Sequence, residues 1–202
     1  MQLPIRNAAL LTFTPILRDS QPVGLGTVLA VTGHANGKSV IKSDEVLSTY
    51  HFKAIPGFGH TMIWASNGIP NLSDEPKADY PSSVIPVPGA TNIQVVLFPA
   101  GYPAEPASQS SVIDHEAAAR EFLERLPGLA ETFEREEPAM HATPTVDYAV
   151  VFEGEIWLEV DDHQTVHLRR GDVVIQNATR HGWRNKGSQS ATLLFVLHGA
   201  NQ

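Results

Sequence analysis

Apolar and polar residues alternate with a period of two through much of this chain, whereas the 3.6-residue period of an amphipathic helix is convincing only just after residue 114. The text Thr27-Val-Leu-Ala-Val31 runs into Thr32-Gly33-His34-Ala-Asn36-Gly37 and returns as Lys38-Ser-Val-Ile41. Asn-Gly suits a two-residue hairpin turn, so a hairpin is predicted here. Val46 to Ala54, His60 to Ala65 and Asn92 to Phe98 read as further strands. Beyond Met140 the pattern predicts strands over 146–153, 155–160, 165–168, 172–176, 181–185 and 191–197, joined by short Gly, Asn and Asp turns. Strands at such even spacing indicate a sandwich or barrel.

The helical exception opens at Asp114, whose carboxylate suits an N-cap, and continues to Leu126 with Phe122, Leu123 and Leu126 on one face. Pro127-Gly128 should break it, and Leu129 to Glu136 read as a further turn that Pro138 ends. Prolines punctuate the rest. Pro4, Pro15 and Pro22 make residues 1–25 an extended N-terminal arm, and Pro70, Pro76, Pro81, Pro86 and Pro88 make 67–88 a surface loop. Residues 26–202 then form a single domain with its core barrel at about 138–198, a size that suits 202 residues in all.

Composition narrows the function classes. The formal net charge of -8 disfavours nucleic acid and anionic membrane partners, which need a concentrated basic face. No Cys is present, so disulfides, thiolate metal sites and Cys nucleophiles are excluded. There is no basic start followed by a long apolar run, and no stretch approaches the ~18 apolar residues of a membrane span. A cytoplasmic protein is expected. No nucleotide-cofactor signature is visible.

Candidate chemistry gathers between His141 and Asn185. In an extended strand His141, Thr143, Thr145 and Asp147 share one face, and Ala149 and Val151 continue it, which points that face into the barrel. His181 and Trp183 form a similar pair on a later strand. Two imidazoles and a carboxylate are donors suited to a divalent transition metal with open positions for substrate. A structural alternative stands beside this: each His as a hydrogen-bonded strand residue, and Asp147 as a turn anchor or the partner of Arg184. Of the other histidines, His51 and His60 lie on strands and are open to a pocket, core or surface role. The rest sit at turns, at a helix start, or in isolation.

These residues resemble the cupin superfamily. Its first motif, G-x5-H-x-H-x3/4-E-x6-G, is matched in spacing by His141-x-Thr143-x3-Asp147-x6-Gly154, and its second, G-x5-P-x-G-x2-H-x3-N, by Gly171, His181 and Asn185. Thr32-Gly33-His34, Gly37-Lys38-Ser39-Val40 and His141-x-Thr-x-Thr-x-Asp147-Tyr148 resemble a subgroup of small single-domain cupins, whose relatives sit in bacterial catabolism or fungal secondary metabolism. The departures are Thr143 at the second His position, Asp147 in place of Glu, and a Gly171 to His181 step one residue short. The resemblance implies an all-β cupin barrel, a double-stranded β-helix or jelly roll, with extra N-terminal strands and one short helical segment near 114–136.

It also implies an active site inside the barrel. His141, Asp147 and His181 are the expected catalytic set and the expected ligands of a divalent metal: Fe, Mn, Zn or Ni. Thr143, Trp183, Tyr148 and Arg184 are expected to contact a small-molecule substrate, with Arg184 pairing a carboxylate. The implied chemistry is that of a decarboxylase, dehydratase or isomerase acting on an organic acid or a secondary-metabolite intermediate. A mononuclear iron dioxygenase, a metal-free acid/base or cyclisation catalyst, and a non-catalytic ligand-binding protein are the alternatives. A homodimer is the expected assembly.

Overall fold

The computed structural model describes residues 27–80, 82–103, 114–137 and 139–201. The expected N-terminal arm, residues 1–25, lies outside the described residues. Strands β1 (Thr27–Ala35) and β2 (Lys38–Leu47) form an antiparallel ribbon of their own. Its turn places Asn36 at φ 52° and Gly37 at φ 73°, the left-handed pair that matches the twist of the flanking strands. Val46 to Ala54 is not one strand. β2 ends at Leu47, β3 covers only Tyr50–His51, and the chain then folds on itself, with Phe52 N–H donating to Phe58 O at 3.0 Å. Pro56 and Gly57, with Gly57 at φ 84°, set this loop.

The barrel is built from β4 (Gly59–Ala65), β5 (Thr91–Phe98), β6 (Thr145–Glu153), β7 (Glu155–Glu159), β8 (Thr165–Arg169), β9 (Val173–Asn177), β10 (Gly182–Arg184) and β11 (Ala191–Gly199). One sheet has the order β3-β4-β5-β11-β6-β9 and the other β10-β7-β8. Alternation decides what each strand sends inward. On β6, Thr145, Asp147, Ala149 and Val151 are buried while Tyr148 is exposed, and on β11 Leu193, Phe195 and Leu197 are buried. Ile156, Leu158, Leu168 and Trp183 of the smaller sheet join these side chains in one core. Two sheets closed on one apolar interior satisfy the backbone laterally and the side chains centrally.

The helix α1 (His115–Arg125) starts where its cap predicts, with the Asp114 carboxylate accepting from the N–H groups of Glu116 and Ala117, both at 3.0 Å. Its buried face is Ala118, Phe122 and Leu126, whereas Leu123 is 49% exposed. The i, i+4 spacing of the first three explains why Leu123, one position round the helix from Phe122, is left outside. Glu121 ties the helix to the barrel, accepting from Tyr50 Oη at 2.7 Å and from the N–H groups of Lys53 and Ala54 at 2.9 and 2.8 Å. The loop 67–88 has no strand or helix among its described residues, but it is pinned at its end. Val84 is buried and its N–H donates to Pro127 O at 2.8 Å. No helix among the described residues is long and apolar enough to cross a membrane.

Gly154 holds the tight link between β6 and β7 at φ 76°, and a Cβ there would lie 2.5 Å from Ser190 O and 2.9 Å from Ala191 Cα. Gly154→Ala is expected to destabilise the fold by about 2 kcal/mol through left-handed strain and backbone overlap. Urea denaturation checks this: the midpoint should fall with the m-value unchanged, and a midpoint equal to wild type would mean the turn is free to move.

Candidate functional site

The site begins with two histidines held face to face by the backbone. His141 and His181 form an isolated antiparallel bridge, exchanging N–H···O bonds of 2.8 and 2.9 Å, and their rings lie 4.3 Å apart at 49°. His141 Nδ1 faces Ala139 O at 3.2 Å, and His181 Nδ1 faces Thr179 O at 2.9 Å. A carbonyl oxygen only accepts, so each Nδ1 carries the hydrogen. In the neutral ring Nε2 is then the lone-pair nitrogen. Both rings are buried, and the charged forms are correspondingly disfavoured. Burial, reinforced by the neighbouring His181, pushes His141 down to about 4, and burial lowers His181 as well.

Asp147 enters the same cavity from β6. It is 7% exposed and its Oδ1 has no hydrogen-bond partner. Burial pushes its carboxyl up to about 6, against a smaller opposing pull from the Thr145 hydroxyl. Thr143 and Thr145, both buried, are joined through their hydroxyls at 2.7 Å. An unpartnered buried carboxyl oxygen is costly to the fold unless something uses it.

The cavity leaves about 70 Å³ for the centres of water-sized groups and is partly open to solvent, so a ligand larger than this space can extend through its mouth. Its polar wall comprises His60, Gln94, His141, Thr143, Asp147 and His181. The apolar wall comes from the barrel (Phe58, Phe98, Trp183, Phe195) and from the helical segment, which contributes Phe122, Leu126, Leu129 and Phe133. Phe133 packs on His141 with ring centres 4.6 Å apart. Arg180, next to His181, locks the end of that segment in place. Its guanidinium donates to Glu134 at 2.6 and 2.7 Å, to Glu137 at 2.8 Å and to Asp161 at 2.9 Å.

Of the residues singled out from the sequence, His141, Thr143, Asp147, His181 and Trp183 all line this cavity. Tyr148 does not: it is 46% exposed, because it occupies the odd position between the inward-facing Asp147 and Ala149. Arg184 does not either, since its Nε donates to Glu159 Oε2 at 2.7 Å on the adjoining strand β7. The expected cation for a substrate carboxylate is therefore missing from the described lining. His60, which the sequence left open to a pocket, core or surface role, lines the cavity, and Gln94 joins it. They come from β4 and β5, and His60 Nε2 donates to Gln94 Oε1 at 2.6 Å, with burial lowering the His60 pKa. Its position on a strand was the signal for His60, since alternation along Gly59–Ala65 regularly buries the other parity, Thr61, Ile63 and Ala65; nothing in the sequence pattern marked Gln94.

The donor set expected for a divalent metal closes only in part. The two imidazoles meet across the backbone bridge, but among the described residues no three His, Asp or Glu side chains come together in an arrangement that would hold an ion. Asp147 lies six residues along the chain from His141, inside β6, and pairs in register with Gln176 rather than His181. Thr143, at the intervening position, offers a neutral hydroxyl already bonded to Thr145, a poor donor for Fe, Mn, Zn or Ni. Those residues do not fit a resident metal.

Residues 131–197 match the family model described as a cupin domain. Over that third of the chain, the strands and the inward-facing site they carry are those of a cupin domain. The chain is 46% identical over 61 residues to oryzines biosynthesis cluster protein J of Aspergillus oryzae, covering 30% of this chain and 34% of that one. It is 43% identical over 61 residues to phomopsin biosynthesis cluster protein C' of Diaporthe leptostromiformis, covering 30% and 32%. The cupin-domain-containing oxidoreductase virC of Hypocrea virens is 36% identical over 61 residues, covering 29% and 31%. The matches thus span about a third of the length of these curated relatives. Among solved structures, the cupin domain of an XRE family transcriptional regulator from Enterobacter cloacae aligns with a TM-score of 0.33 at 12% identity, covering 55% of this chain and 83% of that one.

Proposed function

We propose that this barrel is a small-molecule enzyme that moves a proton, performing isomerisation or dehydration with Asp147 as the acid/base group. The observation that carries this is the unpartnered, buried Asp147 oxygen in one cavity with the bridged His141–His181 pair. A carboxyl titrating near 6 is poised to take and return a proton at neutral pH, since general acid–base groups work best with a pKa near the operating pH. Neutral imidazoles with Nδ1–H fixed on carbonyls present Nε2 as an acceptor for a substrate hydroxyl, and their own protonation is suppressed. A ligand seated against the apolar wall would displace water from the reacting groups, which keeps the proton between enzyme and substrate. Similarity to proteins named for fungal biosynthesis clusters supports a secondary-metabolite intermediate as the substrate.

The test is deuterium exchange. Wild-type protein in D2O with a panel of enolisable ketones and aldehydes is expected to exchange hydrogen at the carbon next to the carbonyl, and EDTA treatment should leave the rate unchanged. Metal analysis of chelator-free protein supplied with Fe, Mn, Zn and Ni belongs to the same experiment. About one metal per chain, lost in His181→Ala together with exchange, would replace proton transfer by a metal centre.

A further inference from the structure

We infer that the ligand of this cavity is an uncharged ring compound with a single carbonyl or hydroxyl group, recognised at its oxygen by the His60–Gln94 pair. This deepens the proton-transfer reading and rests on it, because a resident metal would bring positive charge into the cavity. Every polar side chain in the described lining is neutral or acidic: three imidazoles, an amide, a threonine, a tyrosine, an indole and the Asp147 carboxyl. No Lys or Arg is among them. Arg184 and Arg180, the arginines flanking this stretch, are committed to Glu159 and to the Glu134, Glu137 and Asp161 cluster. An anion brought here would lose its water and meet a carboxyl without a compensating cation, a strongly unfavourable exchange.

The apolar wall selects the rest of the ligand. Phe58, Phe98, Phe122, Phe133 and Trp183 surround the space, with Phe58 and Phe98 at 5.6 Å edge to face and Phe58 and Phe122 at 5.4 Å. Aromatic walls of this kind favour a flat ring that stacks or meets them edge-on. At the polar end, Gln94 spends its carbonyl oxygen on His60, which leaves its amide N–H groups to donate; no partner for them is found among the described residues. A ligand oxygen is the complementary acceptor. His60 orients the amide and is a positioning residue; it comes from β4, whereas His141 and His181 come from the margins of β6 and β10.

Ligand-observed NMR on the full chain tests this with three probes of one size at pH 7.5: acetophenone, benzoate and ethylbenzene. Acetophenone is expected to bind at least about tenfold more tightly than benzoate, the cost of an unpaired buried anion being the larger effect. Gln94→Leu should weaken acetophenone about fivefold and leave ethylbenzene unchanged, since only the former uses the amide. Benzoate binding as well as acetophenone, or neither probe binding at millimolar concentration, overturns the proposal. So does Gln94→Leu weakening both neutral probes equally. The outcome is separable from that of the proton-transfer reading: a cavity that prefers benzoate while Asp147 still governs deuterium exchange sinks the ligand class alone, and a preference for acetophenone with exchange indifferent to Asp147 sinks the chemistry alone.

Discussion

Asp147→Asn is expected to lose about 10²- to 10⁴-fold in exchange rate while becoming more stable than wild type at neutral pH. The rate loss is the contribution of a general acid–base group. The stability gain follows from the direction of the shift. Burial raises the folded-state pKa of Asp147 from 3.8 to about 6, so between those values the folded protein holds a proton that the unfolded chain has released. Stability from this group is therefore fully present below about 3.8 and is lost as pH rises through about 6. A gap of this size corresponds to roughly 3 kcal/mol, as an upper figure. Asn cannot ionise and escapes the loss. Urea denaturation at several pH values should show the variant above wild type at pH 7 and the difference vanishing near pH 4. An Asn variant less stable than wild type at pH 7 would mean that the carboxylate is held by a positive partner, an ion above all, and would sink the proton-transfer reading.

His141→Gln has the opposite signature and is best read in the Asp147→Asn background. The folded-state pKa of His141 lies at about 4 against an ordinary 6.5, so its stabilising contribution is present above 6.5 and lost as pH falls through about 4. That loss is on the order of 3 kcal/mol. His181 is shifted the same way, by burial. In the wild type the two carriers oppose each other, Asp147 gaining where His141 loses, and the fold should show a shallow pH dependence between about 4 and 6. Removing the carboxyl exposes the imidazole slope, so Asp147→Asn should lose stability steeply on acidification. Adding His141→Gln should flatten that slope. Gln cannot protonate, and its amide retains a donor for Ala139 O. An acid slope unchanged by the second substitution would show that the buried His141 ring is not what titrates.

Much of the barrel was legible because strand alternation reports burial directly. Thr145, Asp147, Ala149 and Val151 face inward as their period of two requires, and the same rule sends Tyr148 outward. The Asp114 cap and the Asn36-Gly37 turn were legible for a similar reason: each is a local hydrogen-bond or dihedral requirement that nearby residues satisfy. Val46 to Ala54 misled, because a run of strand-forming residues carries no information about where its pairing partner ends. Arg184 misled too. Its charge suggested a substrate carboxylate, yet it bonds Glu159, which lies on β7 two residues beyond its register partner Trp157 and comes within reach only after β7 and β10 pair.

His141 to Asn185 thus divides between what the chain specifies locally and what only packing supplies. The sequence by itself determined the β architecture, the helix and its cap, and the inward face bearing His141, Thr143 and Asp147, because period and capping act over a few residues. Tertiary structure decided that His141 and His181 bridge while Asp147 enters the same cavity with Oδ1 unpartnered. It also brought His60 and Gln94 from β4 and β5 to the same wall and set the aromatic side chains of α1 and Phe133 against it. Those distances depend on register and closure between strands distant in sequence, which no single stretch encodes.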